Sequence, residues 1–312
     1  MSRQRAFRAA SCLAALVAII APGCARAQQD SSHTAAAVAE PDSSRATPHY
    51  HGFLLDIPRT LGSSARYATR RPQIKDWLIV GATTGVLYAF DRQIYTNARH
   101  AGDAIGVSRD HPQAALMVGS TKLFYVPTTV GSGLYYLGDG WTTMFVAGTY
   151  LTVGAIKHDS RATLTASEIT ESLLALGVVT QTIKHATGRQ TPGTATSERG
   201  EWHPFENWRE YSNNTPKYDA MPSGHLATAI STVTVIAANY PDNPWVKPIG
   251  YGLSGVLAFA MVNNGVHWAR DYPLAIAIGK TVGEFAAQRG RGQIGRIEPV
   301  VGPSDIGLRV RF

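Results

Sequence analysis

A series of apolar runs, most of them about 14 to 18 residues long, constrains this chain more than any other feature. Strict alternation of apolar and polar residues is rare before the C-terminus, and runs of this length are typical of helices that pack against one another. The sequence therefore predicts an all-α fold in the form of a helical bundle. The predicted helices lie at 77–90, 114–130, 141–156, 167–183, 226–240, 249–262 and 273–287.

These runs are short for transmembrane helices. A spanning helix needs about 20 mainly apolar residues, whereas most of the runs are interrupted by Thr, Ser, Asn or Lys. The mean hydropathy of the chain is slightly negative, at −0.09. The sequence therefore favours a soluble protein or one with peripheral membrane contact, and an integral membrane protein is the alternative.

The first 27 residues have the pattern of a secretory signal peptide. Three arginines stand in the first eight residues, an apolar segment follows at 9–21, and Ala25-Arg26-Ala27 provides a cleavage site. We therefore expect export to the periplasm or cell envelope. Lipoprotein processing at Cys24 is the competing interpretation, although Pro22 and Gly23 suit it poorly.

Composition divides the rest of the chain into three parts. Residues 28–51 are rich in Ser, Ala, Thr, Asp, Pro and Gln, which predicts a flexible linker. Residues 52–290 form the predicted helical domain. Residues 291–312 form a C-terminal tail, and the alternating residues 306–312 predict one short strand within it.

The predicted signal peptide contains both cysteines, Cys12 and Cys24. The mature chain would therefore have no disulfide and no cysteine-ligated metal. Loss of the signal peptide's four arginines leaves 25 basic and 22 acidic residues, so the net charge falls from +7 to +3. This small charge gives no support for a nucleic-acid partner.

The segment 221–225 has the features of an anion site at the start of a helix. Ser223 is a favourable N-cap, and Gly224 allows a ligand to approach the backbone. The unpaired amides of such a helix start favour phosphate-like anions. His225 stands where it could exchange a proton with the bound group. The simpler interpretation is an ordinary capped helix with a surface histidine.

Two further segments carry charged residues in a helical context. Lys184 and Arg189 follow the helix predicted at 167–183. His267 and Asp271 are four residues apart, so on a helix they would share a face. The carboxylate could then accept a proton from one imidazole nitrogen and leave the other nitrogen nucleophilic. Taken singly, the segments could be a basic helix end and a surface ion pair.

Together, the three segments resemble the motifs of the type 2 phosphatidic acid phosphatase (PAP2) and vanadium haloperoxidase superfamily. Those motifs are Lys-x6-Arg-Pro, Pro-Ser-Gly-His and Ser-Arg-x5-His-x3-Asp. Their order and spacing match over roughly residues 75–290. The resemblance implies a six-helix bundle with the site at one end, and a phosphatase acting on a phosphorylated lipid or other small molecule.

The resemblance also implies a role for each matching residue. His267 would attack phosphorus to form a phosphohistidine, Asp271 would orient it, and His225 would protonate the leaving group and then activate water. Lys184, Ser223 and Gly224 would bind the phosphate oxygens. The resemblance implies no metal and no cofactor, because such chemistry depends on positioning and charge stabilisation.

Two motif arginines are missing. Their positions hold Thr191 and Met261, and the motif serine is Ala260. A charge-assisted contact is worth on the order of 1.5–3 kcal/mol, so the two losses would slow turnover by roughly two to four orders of magnitude unless other groups replace them. We predict that Arg189 points into the site as a replacement, and a solvated surface arginine is the alternative. Further candidates are Arg270, Asn263 and Asn264.

Three functions follow from these observations. The first is an exported phosphatase, whose aromatic loop at 192–220 would cover an apolar part of the substrate. The second is a degenerate protein that binds an anionic lipid or partner without chemistry, which the missing arginines suggest. The third is vanadate-dependent halide oxidation, which the same absence disfavours.

Overall fold

The computed structural model describes residues 53–107, 113–118, 121–290, 296–301 and 306–311. The predicted signal peptide and the linker at 28–51 lie outside the described residues. The predicted domain boundaries at 52–290 and 291–312 stay predictions.

The chain folds as an α-helical bundle, which confirms the predicted fold class. The α-helices are α1 (Phe53–Ala68), α2 (Ile74–Ala104), α3 (Val130–Tyr136), α4 (Gly140–Lys157), α5 (Ser160–Thr187), α6 (Trp208–Asn213), α7 (Gly224–Asn239), α8 (Val246–Asn263) and α9 (Tyr272–Gly290). Short 3-10 helices lie at Arg71–Gln73, Pro192–Thr194, Thr215–Lys217 and Ala269–Asp271.

Two antiparallel hairpins accompany the helices. Strands β1 (Gln113–Val118) and β2 (Thr121–Pro127) form the first, and β3 (Arg296–Val301) and β4 (Ile306–Arg311) form the second. The first hairpin occupies most of 114–130, so the helix predicted there is wrong. Short apolar runs do not distinguish a strand from a helix by period alone. In the second hairpin, β4 confirms the strand predicted at 306–312, whereas its partner β3 was not predicted.

Helix α5 begins earlier than its apolar run suggests. The Asp159 side chain accepts hydrogen bonds from the Arg161 and Ala162 amides and caps the helix. Glu168 and Glu171, which a helix beginning at 167 would place in its first turn, therefore lie inside the helix and are buried. The helix is two turns longer at this end than the apolar pattern indicates.

Helices α5, α7 and α9 form the centre of the bundle because each contributes to both buried apolar clusters. The first cluster joins α4, α5, α7 and α9 and contains Ile169, Ile236 and Ala286. The second joins α5, α7 and α9 and contains Leu176, Leu226 and Ile278. This packing brings the C-terminal end of α5 to the N-terminal ends of α7 and α9.

Among the described helices, one is long and apolar enough to cross a membrane by length and composition. It is α5, and 61% of its most apolar window is buried inside the bundle. The core helix of a soluble protein has the same properties. Large apolar side chains are nevertheless exposed on α2, including Leu78, Ile79 and Val86.

Candidate active site

The three charged segments meet at one end of the bundle. Lys184 lies in the last turn of α5, His225 in the first turn of α7, and His267 just before the 3-10 turn Ala269–Asp271 that leads into α9. Tertiary packing of α5, α7 and α9 thus gathers residues that are distant in sequence.

The two histidines face each other. The ring centroids of His225 and His267 are 5.8 Å apart, with the rings inclined at 64°. Tyr135 of α3 also packs against His225, with ring centroids 4.9 Å apart and the rings inclined at 61°. Burial, helped by nearby acidic groups, raises the pKa of Tyr135 to about 12. The phenol is therefore a neutral wall of the site at physiological pH.

His267 is held with one nitrogen bonded and the other unpaired. Its Nδ1 lies 2.7 Å from the Ala220 carbonyl oxygen. A carbonyl can only accept, so Nδ1 carries the proton. The buried Nε2 has no hydrogen-bond partner among the described residues. Burial lowers the pKa of His267 well below its usual value, and the charges of Lys184 and His225 lower it further. The ring is thus a neutral imidazole with its lone pair on Nε2.

Asp271 does not lie on a helical face with His267, as the spacing of four had suggested. His267 precedes the 3-10 turn, and Asp271 closes that turn by accepting a hydrogen bond from the Trp268 amide at 2.8 Å. Its Oδ2 is 4.0 Å from His267 Nδ1, beyond hydrogen-bond distance. Burial raises the pKa of Asp271 well above its usual value. The Ala220 carbonyl, rather than this carboxyl group, makes the direct bond to the imidazole.

The Lys184 amine lies beside the start of α7. Its Nζ is 3.3 Å from Asp219 Oδ2, and a methyl group added at Gly224 would be 3.7 Å from the same nitrogen. Ser223 caps α7 as predicted, because its side chain accepts a hydrogen bond from the Leu226 amide at 3.3 Å. The Gly224 amide, at the first helical position, has no intrahelical acceptor. Ammonium, hydroxyl and amide groups therefore adjoin at one helix start.

Arg189 is fully buried, so it is not a solvated surface residue. Its guanidinium donates to the carbonyl oxygens of Arg199 and Glu201, and it lies 4.7 Å from the Trp202 ring and 5.5 Å from the Trp268 ring. These contacts tie Arg189 to the polypeptide at 199–202. A phosphate contact by Arg189 stays a prediction.

Arg270 points towards α2. Its Nε is 2.8 Å from Asp91 Oδ2, its Nη2 donates to the Arg199 carbonyl at 3.0 Å, and Tyr88 lies under the guanidinium at 4.4 Å. Burial raises the pKa of Asp91 to about 6, with Arg270 acting in the opposite direction. The Arg270–Asp91 pair therefore fixes the 3-10 turn that carries Asp271 against α2.

The positions of the two missing arginines are occupied and buried. Thr191 is hydrogen-bonded to Thr194, and Met261 lies in the core. Asn263 is buried against Gly102 of α2, and its amide nitrogen donates to Asn264. These contacts direct Asn263 towards α2.

The loop at 192–220 folds back over this end of the bundle. Backbone hydrogen bonds join His203 to Gly188 and Ala220 to Arg189. Three of its aromatic side chains remain exposed: Trp202, Phe205 and Trp208. The loop therefore has an ordered path and an apolar outer face.

Sequence reasoning missed four groups that surround the site: the Ala220 carbonyl, Asp219, Asp91 and Tyr135. Every residue has a backbone carbonyl, so the sequence does not indicate which one will bond to His267. Asp219, two residues before the segment 221–225, carried a local signal, since an acid beside that segment could pair with Lys184. Asp91 and Tyr135 come from distant helices. Among the described residues, no group of three His, Cys, Asp or Glu side chains is arranged to hold a metal ion.

Comparison with known proteins agrees with this geometry. The family model described as the PAP2 superfamily matches residues 166–290, which include Lys184, both histidines and Asp271. This match confirms the resemblance seen in the sequence motifs. Neither a curated protein nor a solved structure matches the chain.

Proposed function

We propose that this chain, whose residues 166–290 match the PAP2 superfamily, is an exported phosphatase that acts on a phosphorylated lipid or other phosphomonoester or diphosphate. Members of that superfamily are generally phosphatases, which supports the reaction class. The observation that carries the proposal is the unpaired Nε2 of His267, on a ring whose centroid lies 5.8 Å from that of His225.

In the first step, Nε2 of His267 attacks phosphorus while the ester P–O bond breaks. The Nδ1 proton stays on His267, where the Ala220 carbonyl stabilises the positive charge that develops on the ring. His225 gives its proton to the leaving oxygen. The products of this step are an alcohol, or a monophosphate if the substrate is a diphosphate, and a phosphohistidine.

In the second step, His225 accepts a proton from water, and the resulting hydroxide attacks phosphorus. The P–N bond breaks, inorganic phosphate leaves, and the lone pair returns to Nε2. Lys184, the Ser223 hydroxyl and the Gly224 amide would bind the equatorial oxygens and stabilise the negative charge that is spread over them in the transition state. Asp219 holds the Lys184 amine near the start of α7 between turnovers.

The exposed aromatic face of the loop at 192–220 supports an apolar substrate. Phe205 and Trp208 are 74% and 72% exposed. Neighbouring large apolar side chains that are exposed in this way mark a surface that a ligand or a membrane covers. Release of inorganic phosphate from a panel that includes phosphatidate and isoprenyl diphosphate tests the proposal. We expect turnover of at least one member and its loss in His267→Ala. No turnover of any member by the folded protein would contradict it.

The occupied arginine positions support a second candidate, a protein that binds an anionic ligand without hydrolysing it. Thr191 and Met261 replace the motif arginines, and the guanidiniums of Arg189 and Arg270 are engaged by backbone carbonyls and by Asp91. Under this alternative, a phosphorylated lipid binds equally well to the wild type and to His267→Ala, and neither protein releases phosphate.

A further inference from the structure

A cavity lies among α1, the start of α2, α5 and α9, apart from the candidate active site. Its volume is about 450 Å³, within the range of roughly 300–1,000 Å³ that is typical of small-molecule sites. Apolar side chains form most of its wall, including Leu61, Val179, Ile183 and Ile278. None of the residues proposed above for phosphate chemistry lines this cavity. It is therefore a separate site with the character of a hydrocarbon-binding pocket.

Two polar atoms in the wall of this cavity are unsatisfied. Ser64 is only 8% exposed, and neither its Oγ nor the buried Oε1 of Gln73 has a hydrogen-bond partner among the described residues. Buried polar atoms without partners are rare, because each costs the full desolvation penalty. A ligand group that both accepts from Ser64 and donates to Gln73 would satisfy them. A hydroxyl group is the smallest group that does both.

The charges of the lining disfavour an anionic head group. Asp76 and Glu284 contribute two carboxylates and Lys280 one ammonium. Lys280 and Glu284 already lie 3.9 Å apart as an exposed pair. A carboxylate or phosphate on the ligand would meet net negative charge and would lack the hydrogen that Gln73 Oε1 accepts. The lining therefore fits an uncharged ligand.

We propose that this cavity binds a single-chain aliphatic alcohol. Its hydroxyl group accepts a hydrogen bond from Ser64 and donates one to Gln73, and its chain lies between Val179, Ile183 and Ile278. This proposal does not rest on the phosphatase function.

Calorimetric titration of the full chain tests the ligand class. The probes are 1-decanol, decyl methyl ether, which cannot donate to Gln73, and decanoate, which carries the disfavoured charge. We expect saturable binding of 1-decanol, binding of the ether weaker by about two- to tenfold for one lost hydrogen bond, and the weakest binding for decanoate. No saturable binding of 1-decanol, or decanoate binding as tightly as the alcohol, would overturn the proposal.

Variants test the location. Ala277→Phe fills the cavity and should abolish 1-decanol binding, whereas Ala82→Phe, the same change on the exposed face of α2, should leave it unchanged. Ser64→Ala keeps the cavity and should weaken binding of the alcohol about two- to tenfold. If Ala277→Phe fails to fold by circular dichroism, Ser64→Ala decides. Unchanged affinity in Ser64→Ala, or in a folded Ala277→Phe, would overturn the proposal.

Discussion

The imidazole rings of His225 and His267 lie edge to face, with centroids 5.8 Å apart, although they come from different elements. Reacting atoms in productive complexes approach to about 3–3.5 Å, so one phosphoryl group between the rings could be within reach of both. The proton on His267 Nδ1 is committed to the Ala220 carbonyl. In the proposed mechanism, this pairing leaves His267 to act as the nucleophile and His225 to transfer the proton.

The first prediction concerns the protonation of His267. Because burial lowers its pKa well below 6.5, the ring should stay neutral and protonated at Nδ1 as the pH falls through 6.5. Nitrogen-15 NMR of histidine-labelled protein measures this, with the denatured chain as reference. Below about pH 6.5, His267 is protonated in the unfolded chain but stays neutral in the folded chain. His267 should therefore lower the free energy of unfolding as the pH falls through about 6.5. A His267 resonance that titrates like that of the denatured chain would contradict the assignment.

The second prediction concerns the Lys184 amine. Lys184→Ala should lower kcat/KM by about one to two orders of magnitude, since a charge-assisted contact is worth on the order of 1.5–3 kcal/mol. Lys217→Ala removes the same charge from the exposed 3-10 turn Thr215–Lys217 and serves as the control. Steady-state phosphate release measures both variants. Equal effects of the two substitutions would show that Lys184 has no special contact with the substrate.

The third prediction compares two ion pairs that involve α2. Arg270→Ala leaves Asp91 buried without its partner, and breaking a buried pair costs about 3–5 kcal/mol. Arg92→Ala breaks an exposed pair with Glu198, which is worth less than about 1 kcal/mol. Denaturant unfolding at pH 7.5 measures both changes. If Arg270→Ala is as mild as Arg92→Ala, the buried pair does not stabilise this part of the fold.

The fourth prediction concerns the pH dependence of stability at Asp91. Its pKa rises from 3.8 to about 6 on folding, so the folded state holds the proton more tightly and stability falls as the pH rises towards and above 6. The size of this effect is at most about 3 kcal/mol. Asp91→Asn removes the titration and should flatten the profile of unfolding free energy between pH 4 and 6.5. Parallel profiles for the two proteins would show that Asp91 does not titrate in this range.

Most residues of the candidate site could be predicted from short sequence motifs. The segments around Lys184, His225 and His267 could be found from the sequence because helix capping and residue spacing are local properties, and the bundle then brings them to one end. The contacts that set their chemistry could not. Tertiary packing brings the Ala220 carbonyl to His267 and Asp91 to Arg270. No rule of residue spacing predicts either contact.

In the fold, too, local signals in the sequence predicted some elements correctly and others wrongly. Helices with strong apolar runs, such as Gly224–Asn239, were predicted nearly to their ends because the cap at Ser223 is a local signal. The run at 114–130 was misassigned because its residues suit a strand as well as a helix. His267 and Asp271 do not share a helical face as expected, because His267 precedes the 3-10 turn that contains Asp271. In that turn the Asp271 side chain accepts a hydrogen bond from the Trp268 amide.

Detection of a phosphohistidine at His267 tests the phosphatase mechanism most directly. Protein mixed briefly with a substrate that turns over is quenched at alkaline pH, which preserves the P–N bond, and is digested for mass spectrometry. We predict phosphate on the peptide that contains His267 in the wild type, and none in His267→Ala. A protein that hydrolyses the substrate without ever carrying phosphate on His267, or that turns over normally as His267→Ala, would contradict the mechanism.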